Sequence, residues 1–163
     1  MPDTRLTCAC AAGLLLLASA ARADRQVSLA VATGQYGMRK EIPHSLGVDV
    51  ELRSSSLWNL LRPVAGLLTS GRGAILYSGL ILDLDLPLGM RLSPGFAPAL
   101  AVAGADGDLG FPLEFRSSLE LSLAAGDRVR IGVAFSHISN ARLGDKNPGV
   151  EVLAVGIAVS PGR

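Results

Sequence analysis

Apolar side chains alternate with small or polar ones along most of the chain, and this pattern restricts the fold more than any other feature of the sequence. From Val129 to Phe135 every second residue is Val, Ile or Phe, and the residues between them are Arg130, Gly132 and Ala134. A period of two places each set on one face of a β-strand. The chain is therefore predicted to be all-β.

The same alternation recurs along the rest of the chain. No stretch after residue 23 is continuously apolar over the roughly 18 residues that a membrane helix needs. The pattern weakens at Pro94-Gly95, where we expect a bulge or kink. The predicted strands are 25–37, 44–53, 57–70, 74–86, 87–102, 111–125, 127–139 and 149–160.

The two faces of these strands differ in a way that favours a membrane barrel. One face is a continuous band of Leu, Val and Phe, whereas the other mixes small residues with charges of both signs. A soluble barrel turns its apolar face inward and a membrane barrel turns it outward, and roughly ten tilted residues cross a bilayer. We predict an eight-stranded antiparallel transmembrane β-barrel. Its interior is expected to pair Asp49, Glu51, Asp83, Asp85, Glu114 and Glu120 with Arg53, Arg91, Arg116, Arg128 and Arg130.

The first 23 residues have the composition of a cleaved export signal. Arg5 precedes a short apolar run, and Ala21-Arg22-Ala23 supplies the small residues that a signal peptidase requires. Residues 1–23 are thus interpreted as a signal peptide and residues 24–163 as a single barrel domain. Cys8 and Cys10 both fall inside the signal, so the mature chain can form no disulfide.

Charge and motifs exclude several classes of function. Removal of residues 1–23 from a chain with 15 basic and 14 acidic groups leaves 13 of each, so no basic excess favours nucleic acid as a partner. The mature chain has no zinc-ligand spacing, calcium loop, phosphate-binding loop or dinucleotide fingerprint, and no cofactor or metal is expected.

The predicted topology separates two ends of the barrel. With both termini in the periplasm, the connections near 38–43, 70–73, 103–110 and 140–148 lie outside the cell, and three of these four are longer than the periplasmic turns. This asymmetry is typical of outer-membrane barrels. Tyr36 and Trp58 are interpreted as interfacial anchors.

Three potential catalytic groups fall at the outer end of the last two strands. His137 and Ser139 continue the apolar face of strand 127–139, and Glu151 begins the same face of strand 149–160. Serine is a poor nucleophile at neutral pH unless an imidazole accepts its proton and a carboxylate orients that imidazole. The sequence therefore predicts a Ser139, His137 and Glu151 triad at the outer rim, on the apolar face.

The sequence around these residues resembles a known family. Residues 135–151 include His137-x-Ser139-Asn140-Ala141, an Asn147-Pro148-Gly149 turn and Glu151 at the corresponding spacing, which together resemble the lipid A 3-O-deacylase family of PagL-type outer-membrane esterases. The resemblance implies hydrolysis of the 3-linked acyl ester of lipid A in lipopolysaccharide. It implies that Ser139 is the nucleophile, His137 the base and Glu151 the orienting carboxylate. Asn140, Asn147 and Gly149 are candidates for the oxyanion site and its support.

Other interpretations remain open on sequence alone. The chain could be a non-enzymatic outer-membrane barrel with a structural or adhesion role, or an acyltransferase that passes the acyl group to another lipid. A soluble lipocalin-like barrel would require the apolar face to point inward. A homodimer that covers the lipid-facing site is a further candidate assembly.

Overall fold

The computed structural model describes residues 27–38, 44–57, 60–71, 73–102 and 109–161. The predicted signal peptide and Trp58 lie outside these residues. The described part of the chain contains a short 3-10 turn, Pro87–Gly89, and no helix with the length and hydropathy needed to cross a membrane. Its strands are β1 (Ser28–Tyr36), β2 (Ser45–Arg53), β3 (Leu61–Ser70), β4 (Gly73–Leu82), β5 (Leu84–Asp85), β6 (Met90–Val102), β7 (Leu113–Ala124), β8 (Val129–Ser139) and β9 (Val150–Val159).

These strands form one closed antiparallel barrel. Each strand pairs with the next along the chain except that β4 and β5 both pair with β6, and β1 pairs with β9 to close the barrel. β5 continues the pairing of β4 with β6 after a break at Asp83, so the two segments act as one barrel strand and the total is eight. The predicted eight-stranded antiparallel barrel is confirmed.

The strand boundaries agree with the alternation pattern to within a few residues, and the differences have local causes. The strand predicted to start at residue 87 begins at Met90 because Pro87–Gly89 forms the 3-10 turn, in which Leu88 has a φ of 60°. Of the bulge or kink expected at Pro94-Gly95, the bulge is absent, because β6 keeps one register with β7 from Met90 to Leu100.

The apolar face of the strands points outward, as predicted. Val155, Ile131 and Phe96 are 57%, 54% and 55% exposed, values that residues in the core of a soluble barrel would not reach. A soluble lipocalin-like barrel is therefore excluded, since it requires this face to be inside. Other exposed residues of this outer wall are Leu29, Val31, Leu52, Leu76, Leu80, Leu119, Leu121, Leu123, Val133, Phe135 and Ile157.

Ion pairs fill the middle of the barrel. Arg116 lies 3.1 Å from Asp49 and 3.3 Å from Glu51, and its guanidinium stacks over the Tyr77 ring at 4.4 Å. Arg53 bridges Glu51 and Glu120 at 2.5 and 2.6 Å. These contacts join β2, β4 and β7 across the interior and confirm most of the predicted pairing.

Several interior predictions need correction. Glu114 is fully buried, and neither of its carboxylate oxygens has a hydrogen-bond partner among the described residues. Arg130 contacts the Ser122 hydroxyl and the Gly89 carbonyl instead of a carboxylate. Asp83 pairs at 2.7 Å with Arg62, a partner absent from the prediction, as well as with Arg91.

An apolar cluster lies in the interior and reaches the end of the barrel where β1–β2, β3–β4, β6–β7 and β8–β9 are connected, termed the loop end below. Tyr36 belongs to this cluster and is 6% exposed, so its predicted role as an interfacial anchor is wrong. It occupies the same strand face as Ala30, which is also interior. The cluster further includes Leu68, Ile75, Ala99, Leu109, Ile138, Val150 and Val152.

Candidate active site

His137 and Glu151 face each other across the β8–β9 pair. They are register partners, and Nδ1 of His137 lies 3.2 Å from Oε1 of Glu151. His137 shares its strand face with Phe135, which is exposed on the outer wall. The Glu151 side chain is 10% exposed and that of His137 is 38% exposed, so the carboxylate is covered while the imidazole remains accessible.

This contact determines which imidazole nitrogen can act as a base. An ionised carboxylate only accepts hydrogen bonds, so Nδ1 of His137 carries the proton that is donated to Glu151. The other nitrogen, Nε2, is then unprotonated and is able to accept a proton. The pair thus has the arrangement that a general base requires.

Ser139 lies two residues after His137 on the same face of β8. Its register partner on β7 is Phe115, and its exposure is intermediate. The hydroxyl makes no hydrogen bond to any residue that the structure describes, so the Ser139 to His137 contact of a complete triad is not formed. Residues two apart on a strand are separated by roughly 7 Å along it, a distance that rotation of both side chains can shorten. Such contacts commonly tighten only when substrate binds.

Asn140 holds the β8–β9 loop in place. It is fully buried, and its Nδ2 donates to the carbonyls of Leu109 and Lys146, each at 2.7 Å. Its Oδ1 accepts from the backbone N–H of Arg142 at 2.9 Å. Both ends of the amide are therefore occupied by backbone groups, which joins this loop to the β6–β7 connection.

Asn147 is differently placed. Its Oδ1 accepts from the backbone N–H of Asn140 at 3.1 Å, which fixes the orientation of the amide. Its Nδ2 donates to no described residue, and the residue is exposed. Of the two candidate asparagines, Asn147 is the one whose amide can still donate a hydrogen bond.

Gly149 lies against the His137 ring. A Cβ at this position would come within 2.9 Å of Cε1 of His137, and the backbone φ of 61° is in the left-handed region that favours glycine. Gly144, by contrast, packs against the backbone of Gly110, where a Cβ would lie 2.2 Å from the carbonyl oxygen. Gly144 therefore allows two loops to pack together.

Two polar groups beside the triad residues were missed in the sequence. Ser117 is the register partner of His137 on β7 and is exposed on the outer wall. Gln35, also outward on β1, pairs with Leu153 and contacts His44 at 2.9 Å. The signal was present in the alternation, because Ser117 interrupts an otherwise apolar strand face and Gln35 follows Leu29, Val31 and Thr33 on the outward face of β1. His44 lies just before β2 and also contacts the Gly37 carbonyl.

The barrel interior offers little room for a lipid. A cavity of about 40 Å³ lies among Asp49, Arg116 and Ser136, far below the several hundred Å³ typical of a ligand pocket. Within the described residues, no three His, Cys, Asp or Glu side chains are grouped to hold a metal ion. The chemistry that this arrangement can perform is nucleophilic attack by a serine hydroxyl on an ester at the outer wall.

Fold and site together define the class as an outer-membrane-type β-barrel that carries a candidate esterase site at its loop end. The model of the lipid A 3-O-deacylase (PagL) family matches residues 49–160. This match covers more than half of the chain and includes all the residues of the candidate site. The protein belongs to the lipid A 3-O-deacylase family.

Solved structures show the same fold at low sequence identity. The crystal structure of the outer membrane enzyme PagL is 18% identical, with a TM-score of 0.62 over 81% of this chain and 98% of that chain. Neisserial surface protein A is 13% identical, with a TM-score of 0.62 over 83% and 96%. A de novo designed transmembrane β-barrel is 9% identical, with the same TM-score over 83% and 95%. Comparison with curated proteins gives no match.

Proposed function

We propose that this protein is an outer-membrane serine esterase that hydrolyses the ester-linked acyl chain at the 3 position of lipid A in lipopolysaccharide. The observation that carries the proposal is the His137 to Glu151 contact of 3.2 Å on the strand face of the outer wall, with Ser139 two residues away on the same face. Family membership over residues 49–160 supports the same reaction.

The mechanism assigns one role to each residue. Ser139 Oγ attacks the ester carbonyl while its proton passes to Nε2 of His137, and Glu151 stabilises the resulting imidazolium. The imidazolium then protonates the leaving sugar oxygen, which breaks the ester bond and leaves an acyl group on Ser139. Water, deprotonated by His137, hydrolyses this acyl-enzyme, releases the fatty acid and restores the serine.

Asn147 is the proposed oxyanion donor. Its Nδ2 is available, whereas both ends of the Asn140 amide bond to loop backbone. A donor aimed at the developing oxyanion stabilises the tetrahedral intermediate more than the ground-state ester. Gly149 supports the site by leaving space for the His137 ring.

The outward position of the site fits a substrate that diffuses in the membrane. Lipid A has its ester groups close to its sugar headgroup, so the esters lie near the membrane surface while the acyl chains extend along the apolar outer wall. We place the loop end in the outer leaflet, with residues 1–23 removed on export and residues 24–163 forming the barrel. A homodimer that covers the site stays a prediction.

Mass spectrometry of lipid A tests the proposal directly. Outer membranes are taken from a host that makes 3-acylated lipid A and expresses either the wild-type chain or Ser139→Ala, with folding of both confirmed by heat-modifiable migration. Loss of one 3-linked acyl chain with the wild type alone is the expected result. Unchanged lipid A in both hosts would favour the structural or adhesion role, and transfer of the chain to another lipid would identify an acyltransferase.

A further inference from the structure

Ser117 is a polar group in the apolar outer wall, directly beside His137. β7 presents Phe115, Leu119, Leu121 and Leu123 on the same face, and Ser117 is the polar member of that series. It is exposed, and its hydroxyl forms no hydrogen bond with any residue that the structure describes. A hydroxyl facing hydrocarbon without a partner is unfavourable, so a ligand that supplies one would bind here preferentially.

The register places Ser117 one level deeper than the nucleophile. Phe115 is opposite Ser139, and Ser117 is opposite His137. Diagonal neighbours across an antiparallel pair lie about 7–8 Å apart, so two serine hydroxyls flank the same imidazole. An acyl chain whose carbonyl carbon rests at Ser139 and whose tail extends towards the membrane centre would pass Ser117 within its first few carbons.

Two aromatic rings lie beside the proposed path of the acyl chain. Phe96 is the register partner of Ser117 on β6, and its ring stacks on that of Phe115 with centroids 6.0 Å apart and an interplanar angle of 14°. The rings and Leu119 surround Ser117 with apolar surface. A polar group on the acyl chain could therefore form a hydrogen bond with Ser117, while the rest of the acyl chain contacts apolar side chains.

We propose that Ser117 is a specificity-determining residue that hydrogen-bonds a hydroxyl on the third carbon of the ester-linked acyl chain, so that hydroxylated chains are cleaved in preference to unsubstituted ones. This inference rests on the proposed esterase function and names a finer feature of its substrate. Ser117 takes no part in bond breaking, because Ser139 has the family motif and the Asn147 donor on its side of His137.

The test measures a selectivity ratio. Two lipid A substrates are prepared that differ at the 3-linked ester alone, one with a 3-hydroxyacyl chain and one with an unsubstituted chain of the same length. The ratio of kcat/KM for the two substrates is measured on single preparations of the wild type, Ser117→Ala, Ser117→Thr and Ser78→Ala. Because both substrates meet the same preparation, the ratio is independent of how much protein has folded.

We expect the wild type to favour the hydroxylated chain and Ser117→Ala to lower the ratio by about tenfold, the size of one hydrogen bond. Ser117→Thr keeps a hydroxyl and is expected to keep the preference. Ser78 lies on the outer wall of β4, away from the site, and its replacement should leave the ratio unchanged. An unchanged ratio in Ser117→Ala, or equal loss of both activities, would overturn the specificity role while leaving the esterase intact. A wild type inactive on both substrates would overturn the esterase proposal and this inference together.

Discussion

The Nδ1 atom of His137 and the Oε1 atom of Glu151 lie 3.2 Å apart between register partners of two adjacent barrel strands. The proposed base and its proposed carboxylate partner are thus held by the hydrogen-bonded wall of the barrel, where strand pairing restricts their motion. The proposed oxyanion donor, Asn147, lies instead on the loop that joins these strands. This difference predicts distinct consequences for substitutions in the wall and in the loop.

Glu151→Gln is expected to lower kcat by about 10²–10⁴-fold while the barrel still folds. The glutamine amide can donate to Nδ1 of His137, which would leave the proton on Nε2 and remove the base. The measurement is the initial rate of fatty acid release by purified protein in detergent. Asp127→Asn, in the exposed β7–β8 turn, is the matched control and should retain full activity. Wild-type rates in Glu151→Gln would show that Glu151 does not orient the imidazole.

Ser139→Ala and His137→Ala are expected to be equally inactive, and the double variant no worse than either. When two residues act in the same chemical step, replacing either one removes the contribution of both to the rate, so the losses in the single variants do not add in the double variant. The measurement is the hydrolysis rate of the two single variants and the double variant, compared at equal amounts of folded protein. Additive losses would indicate that one of these residues acts outside the proposed step.

The two asparagines should separate stability from catalysis. Asn147→Ala is expected to lower kcat by about 10²–10³-fold, through loss of an oxyanion donor, with little effect on unfolding. Asn140→Ala removes three hydrogen bonds to backbone groups and is expected to destabilise the loop. Limited proteolysis of the β8–β9 loop, measured alongside kcat, distinguishes these effects. If Asn140→Ala lowers kcat without any increase in loop cleavage, the assignment of the two residues is reversed.

The sequence alone was sufficient to predict which side chains of the candidate site share a strand face. The period of two in β8 and β9 predicted that His137, Ser139 and Glu151 share one face, and the strand register confirms it. Alternation is a local property, so it can be read from the chain directly. Applied to Tyr36, the same period would have placed that residue inside with Ala30 instead of at the membrane interface.

The role of Asn140 could not be predicted because its partners come from elsewhere in the chain. The Leu109 carbonyl belongs to the β6–β7 connection, and only the folded barrel brings it to Asn140. The interior pair of Arg62 and Asp83 has the same origin, since β3 and β4 meet there through their register. Contacts between loops, and between side chains inside the barrel, depend on register and closure as well as on periodicity.

Gly149→Ala is expected to lower activity by displacing the His137 ring. The added Cβ would lie 2.9 Å from Cε1 of His137 at a backbone φ of 61°, so both ring position and backbone are affected. Gly126→Ala is the control, because Gly126 has a φ of 102° and an added Cβ there would meet no atom within 4 Å. Both positions have a positive φ, and Gly149→Ala alone meets the imidazole. Equal losses of activity would attribute the effect to strain and not to the ring.

Arg116→Met is expected to destabilise the barrel without altering the chemistry of the site. Arg116 is buried and pairs with Asp49 and Glu51, so its removal leaves Asp49 without its cation, whereas Glu51 keeps Arg53. Breaking a buried ion pair in this way typically costs about 3–5 kcal/mol. The free energy of unfolding, measured by urea titration in lipid vesicles, should fall by this order, and Asp49→Asn added to Arg116→Met should restore part of it. Arg142→Met, on the exposed β8–β9 loop, is the control for loss of an arginine at the surface. An unfolding free energy equal to that of the wild type would mean that water inside the barrel replaces the arginine, and that the interior network contributes little to stability.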